Sequence, residues 1–335
     1  MESSRADRHL SRPSRRRPLM YTALASVAVL GATAAGTVYV KAQAHSGGSP
    51  VSSASPSPSS PASSPASASA SEVASLEPVA QPTVDYDSLL ADAMDSVSVT
   101  GDADVSVAVL DLDSGDSATY GDDAFDTASI VKVDILATLL LQHQKAGTQL
   151  TAQEKSYATA MIENSDNASA TALWNIIGEA DGLDAANETF GLTDTEGGDG
   201  ALWGLTQTTA ADQLALLQQV FGDDSKLSES SQSYLQELMG QIAAGQHWGV
   251  SAAADGSEWA LKNGWLPRSA TALWDINSIG RVTVDGHDYL VAVLSKGNST
   301  QAKGISLVEA AAKAAVSVFT GESASASPSA SSAAR

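Results

Sequence analysis

Phe125-Asp126-Thr127-Ala128-Ser129-Ile130-Val131-Lys132 leads into Val133-Asp134-Ile135-Leu136-Ala137-Thr138-Leu139-Leu140-Leu141, a largely apolar stretch that runs to Lys145 and is closed by Gly147. The pattern predicts a long helix over about residues 129–145. Ser129 and Lys132, three residues apart, then share a helix face near its start. A serine hydroxyl is a poor nucleophile until a base takes its proton. A lysine amine serves as that base when burial or a nearby cation lowers its pKa. The first turn of a helix also offers unpaired N–H groups to a developing oxyanion. Alone, S-x-x-K equally fits an ordinary amphipathic helix with a capping serine.

Two further short motifs lie downstream. Ser165-Asp166-Asn167 falls between predicted helices at 151–163 and 167–178, the first carrying Thr151 and Glu154 as a capping box. Alone it reads as a capping cluster. Lys262-Asn263-Gly264 follows a predicted strand at 258–262, and alone reads as a strand ending in a turn. In a functional reading it supplies a second cation and a glycine that admits substrate to the strand edge.

The elements around these motifs form a pattern. A helix at 86–97 precedes two strands, 104–112 and 117–121, joined at Asp113-Ser114-Gly115. Helices follow, including 209–221 and 228–244. The strands 258–262, 272–284 and 289–295 come next, the last two flanking Asp285-Gly286, and a helix at 300–319 closes the unit. The fold class is therefore α+β, an α/β sandwich with an antiparallel five-stranded sheet built from both chain ends plus an all-helical subdomain.

Composition sets the surroundings. Residues 1–20 are polar and basic, and Tyr21–Val40 carries no charge. Some twenty apolar residues suffice to span a bilayer, and Arg15, Arg16 and Arg17 place the preceding side in the cytoplasm. An uncleaved signal anchor competes with a signal peptide cut after Ala42-Gln43-Ala44. The anchor is favoured, because the run exceeds an ordinary signal core and Lys41 interrupts the cleavage site. Either leaves the rest of the chain on the extracellular face of the membrane or secreted. Residues 41–82 are a Ser/Ala/Pro linker and 321–335 a similar tail, both expected to be disordered. Residues 83–320 form the candidate domain. Residues 1–45 hold seven Lys/Arg against two Asp/Glu, and the remainder eleven against 37. That negative surface repels nucleic acid. There is no cysteine, and none of the five histidines shows a metal-ligand spacing. No metal and no cofactor is expected. Oligomeric state is not legible.

Taken together, S-x-x-K, S-D-N and K-x-G in this order resemble the penicillin-recognising serine enzymes, and within them the class A β-lactamases. The resemblance covers about residues 83–320. It includes Phe125 before the nucleophile and the Thr-rich turn at 206–217. It implies that Ser129 is acylated, that Lys132 takes its proton, and that Ser165 relays a proton with Lys262 as electrostatic partner. It further implies that Asn167 binds the substrate amide and holds Lys132. The resemblance also implies that the N–H groups of Ser129 and Trp265 form the oxyanion hole, and that Asp166 is structural. Asn263 and Gly264 complete the substrate-binding set.

Three departures stand out. Position 263 is Asn where the family has Thr or Ser to hold a substrate carboxylate, with Arg268 as a substitute cation or simply a surface arginine. The segment between Ser129 and Ser165 is short, which predicts an open cleft. The Glu-x-x-Leu-Asn that serves deacylation is missing, with Glu196 and Asp199 as the nearby acids. The expected function is acylation of Ser129 by β-lactams or a related amide or ester. The alternatives are a D,D-peptidase acting on peptidoglycan stems and a silent module that binds β-lactams or wall fragments.

Overall fold

The computed structural model describes residues 84–256 and 258–321. The anchor expected at 21–40, the linker expected at 41–82 and nearly all of the expected tail lie outside the described residues. Among the described residues no helix is long and apolar enough to cross a membrane.

Helix α1 (Tyr86–Met94) precedes β1 (Asp104–Asp111) and β2 (Ser117–Tyr120). Then come β3 (Phe125–Asp126), a 3-10 turn at Ala128–Ile130, and α2 (Val131–Ala146). The helical block continues with α3 (Ala152–Glu163), α4 (Asn167–Ile177) and α5 (Glu179–Phe190). A second 3-10 turn at Trp203–Leu205 leads into β4 (Gln207–Thr208), α6 (Ala210–Phe221) and α7 (Glu229–Gly240). Strands β5 (Trp259–Pro267), β6 (Trp274–Val284) and β7 (His287–Asn298) and helix α8 (Gln301–Thr320) complete the unit.

The main sheet has the order β2-β1-β7-β6-β5, antiparallel throughout. Strands from both chain ends meet where β1 pairs with β7, Val107 opposite Val293. Both faces of the sheet are covered, so β7 is buried almost continuously. Its alternation splits the core in two. Leu290, Ala292 and Leu294 pack with α2, α4 and α6, whereas Tyr289, Val291 and Val293 pack with α1 and α8.

Three differences from the sequence reading bear on the site. The nucleophile candidate lies in the 3-10 turn, and the α-helix starts only at Val131. Strand β5 runs on through Asn263 and Gly264 to Pro267, because pairing with β6 overrides the turn tendency of Asn-Gly. A short ribbon joins β3 to β4, Phe125 opposite Thr208, so the Thr-rich turn is stitched to the segment before Ser129.

Candidate active site

The turn bearing Ser129 is held in an uncommon backbone state. Ala128 has φ of 49°, and Ser165, across the cleft, has φ of 58°. A left-handed non-glycine residue typically costs about 1–3 kcal/mol and persists where surrounding structure enforces it. Here the enforcement is packing of the turn against β5. A methyl group on Gly264 would lie 2.7 Å from the Thr127 carbonyl oxygen and 2.9 Å from the Ser129 nitrogen. Only a glycine lets the strand come this close. Ser129 is half-buried.

Lys132 lies one turn below and is fully buried. Its ammonium donates to the Ser165 carbonyl at 2.7 Å, the Ser165 hydroxyl at 3.0 Å and the Asn167 side-chain oxygen at 2.8 Å. Lys262, from β5 and equally buried, reaches the same hydroxyl at 3.1 Å. It also contacts its neighbour's carbonyl, that of Asn263, at 3.1 Å. Burial pushes the Lys132 ammonium down to about 7, while Asp166 pulls it back up. Lys262 is held well below the usual lysine value, by burial first and by the charge on Lys132 second. A neutral Lys132 keeps two hydrogens for two of these three acceptors and gains a lone pair that can take a proton. The cluster is thus built to accept and pass a proton.

The N–H of Trp265 faces the cleft by strand alternation. The β5–β6 register runs unbroken from Trp259 opposite Val282 to Pro267 opposite Trp274. Beyond its two ends Thr283 N–H donates to the Glu258 carbonyl at 3.1 Å, and Arg268 N–H to the Leu273 carbonyl at 2.8 Å. Both place the β6-facing groups on even-numbered residues of β5. The N–H groups of Asn263 and Trp265 therefore point to the strand's outer edge, where Gly264 meets the nitrogen of Ser129.

The structure thus brings together Ser129, Lys132, Ser165, Lys262, Asn167, Gly264 and Trp265. Asn263 does not join them as a binder. Its two amide hydrogens go to the carbonyls of Gln246 at 2.8 Å and Trp248 at 2.9 Å, so neither is left for a substrate. Arg268 is ion-paired with Asp126 and lies 3.6 Å from Asp275. It is a neutralised cation rather than a bare surface arginine. Asp166 caps α4 through a 2.7 Å bond from Ser169 N–H. Glu196 lines a separate cavity of about 800 Å³ with Asp122, Asp194 and Gln207, which contains none of the clustered residues. Asp199 is exposed.

Sequence reasoning missed Trp203. Its ring lies 5.0 Å from the Lys132 nitrogen, and its indole N–H donates to Thr171 at 3.1 Å. No periodicity signals a residue in a three-residue 3-10 turn; only its place before the Thr-rich turn could have suggested it.

A family model described as the beta-lactamase enzyme family matches residues 140–319, more than half of the chain. The chain belongs to the beta-lactamase enzyme family. The matched range begins after Ser129 and Lys132, so those two residues rest on the geometry above. As a member of this family with this fold, the protein is a serine hydrolase. Comparison with curated protein sequences finds no match.

Solved structures share the fold. The structure of PBP-A is 20% identical, covers 70% of this chain and 96% of its own, and has a TM-score of 0.60. A beta lactamase from Xanthomonas campestris is 19% identical over 70% of this chain and 97% of its own, with a TM-score of 0.56. A class A beta-lactamase from Bacteroides cellulosilyticus is 16% identical over 71% of this chain and 98% of its own, with a TM-score of 0.59.

Proposed function

We propose that this beta-lactamase-family protein is an exported, class A-like serine hydrolase that forms an acyl-enzyme at Ser129 with β-lactams or a related amide or ester. The observation that carries the reading is the Ser165 hydroxyl held between two buried lysines. In this reading Lys132 takes the Ser129 proton and the Ser129 oxygen bonds to the acyl carbon. The oxyanion forms between the N–H groups of Ser129 and Trp265. As the C–N or C–O bond breaks, Ser165 gives its proton to the leaving group and regains one from the lysine pair. Asn167 steadies Lys132 and binds the substrate's amide.

Hydrolysis of the ester needs a second proton acceptor. Trp203 occupies the side of Lys132 that faces the Thr-rich turn, and Glu196 lies in another cavity. Slow deacylation follows, which favours a D,D-peptidase-like or penicillin-binding role over rapid β-lactam destruction. A variant of PBP-A, a structural neighbour, has been solved as an acyl-enzyme complex with penicillin G. Export rests on the uncharged run Tyr21–Val40 and its basic flank.

The test is intact mass of the full chain over time with penicillin G, alongside Ser129→Ala. A lasting adduct on the parent alone supports the reading. Turnover without a lasting adduct, again only in the parent, keeps the nucleophile and overturns slow deacylation. Neither adduct nor turnover removes β-lactams as substrates.

A further inference from the structure

The side chain of Asn277, on β6, is fully buried yet makes three hydrogen bonds, all to backbone. Its amide donates to the carbonyl of Asp126 at 2.9 Å and to that of Thr127 at 3.0 Å. Its oxygen accepts from the N–H of Ser295 on β7 at 3.1 Å. The Ser295 bond fixes which end of the amide is oxygen, so the NH2 group faces the two carbonyls. Asn277 therefore ties the segment immediately before Ser129 to the two central strands of the sheet's C-terminal half.

Its place in the register gives this tie a consequence. Asn277 is the cross-strand partner of Gly264, so both face the helical layer side by side. Gly264 leaves the gap into which the Thr127 carbonyl and the Ser129 nitrogen fit. Asn277 holds that same carbonyl from the neighbouring strand. The next residue after Gly264 is Trp265, whose N–H lies on the free edge of β5. One cross-strand pair thus references both N–H groups of the oxyanion site to a single point in the sheet. The left-handed Ala128 between Thr127 and Ser129 would relax without such a clamp.

We infer that Asn277 is a positioning residue that sets the distance between the Ser129 and Trp265 N–H groups, and thereby the rate at which Ser129 is acylated. The inference rests on the reading of Ser129 as nucleophile. It adds that a side chain remote from the substrate governs the reaction through the backbone of residues 126–129. Mis-set donors weaken transition-state binding more than ground-state binding, so the acylation rate constant should fall while the dissociation constant of the non-covalent complex holds.

The test uses the full chain and a neutral alkyl fluorophosphonate, which reacts with an activated serine as the Ser129 oxygen bonds to phosphorus and fluoride departs. The variants are Asn277→Leu, similar in volume without hydrogen bonds, and Asn277→Asp, which keeps the acceptor for Ser295 and turns oxygen toward two carbonyls. Removing one oxyanion donor outright costs about 10²–10³ in kcat, and displacement should cost about 10–100-fold. The expected result is that fall in phosphonylation rate for both variants while each still melts cooperatively. The dissociation constant of the non-covalent complex, read from the dependence of the phosphonylation rate on reagent concentration, should stay within about twofold. Should Asn277→Leu not fold, the nearly isosteric Asn277→Asp decides alone. A folded variant reacting within about twofold of the parent overturns the inference, as does a loss carried wholly by weaker non-covalent binding of the reagent. If the parent itself fails to react at Ser129, it is the proposed function that fails.

Discussion

Lys132 and Lys262 share one acceptor, the Ser165 hydroxyl, at 3.0 and 3.1 Å, although one comes from α2 and the other from β5. Two ammonium groups converging on one oxygen in a buried site cannot both hold their protons at the usual lysine pKa. The pair titrates as a unit, and burial brings Lys132 to about 7. The base must be neutral to take the Ser129 proton. The acylation rate should therefore be low at pH 5, rise through about pH 7 and level off by pH 8–9. A stopped-time fluorophosphonate assay across that range checks it. A rate still climbing tenfold per unit above pH 9 would mean an ordinary lysine.

Gly264→Ala should abolish acylation more thoroughly than it harms folding. The new methyl would meet the Thr127 carbonyl and the Ser129 nitrogen, both backbone atoms that cannot swing aside. Strand β5 must move off the turn, carrying the Trp265 N–H with it. A loss of about 10²-fold or more in acylation is expected, with a cooperative thermal transition retained at lower temperature.

Arg268→Ala separates a binding cation from a structural one. Arg268 is engaged by Asp126 and Asp275, so a substrate carboxylate finds little charge there. Matched ester substrates with and without a carboxylate should keep the same KM ratio in parent and variant, within about twofold. The melting temperature should drop, because two carboxylates lose their partner.

Asp134 makes folding acid-favoured. It is buried in α2 and neither carboxylate oxygen makes a well-directed hydrogen bond among the described residues. Burial raises it to about 7; Asn187 and Thr138 oppose the rise, and Asp184 and Asp212 add to it. A folded-state pKa above the unfolded value means that folding takes up a proton. Its stabilising contribution is full below about pH 4 and is lost as pH rises to about 7. At about 1.4 kcal/mol per unit the loss is on the order of 4 kcal/mol. Asp134→Asn should therefore be more stable than the parent at pH 8 and lose that advantage near pH 4, as read by urea midpoints.

Much of this was legible because the three motifs are short and contiguous, two of them at the starts of α2 and α4 and the third inside the edge strand β5. Thr151 and Glu154 announced α3 through a capping box that forms as expected. Helix α5 was not announced, because Gly178 ends α4 and begins α5 at once. That Asn263 would turn its amide onto the Gln246–Trp248 backbone was hidden, since it depends on a loop fifteen residues away in sequence. Asp134 was hidden too, because an acid on an apolar helix looks like a solvent-facing break until neighbouring helices close over it. Asn277 carries no local pattern; its meaning lies in partners some 150 residues distant.

The pairing of β1 with β7 has a consequence in time. The sheet's first strand pairs locally with β2 but finds its other neighbour only when residues near 290 are available, and such long-range closure is slow. Lys262 and the Trp265 N–H arrive on the strands that come last. A growing chain thus carries Ser129 and Lys132 long before it can use them. The polypeptide cannot act until nearly all of its folded unit is available, and its own topology serves as the safety catch.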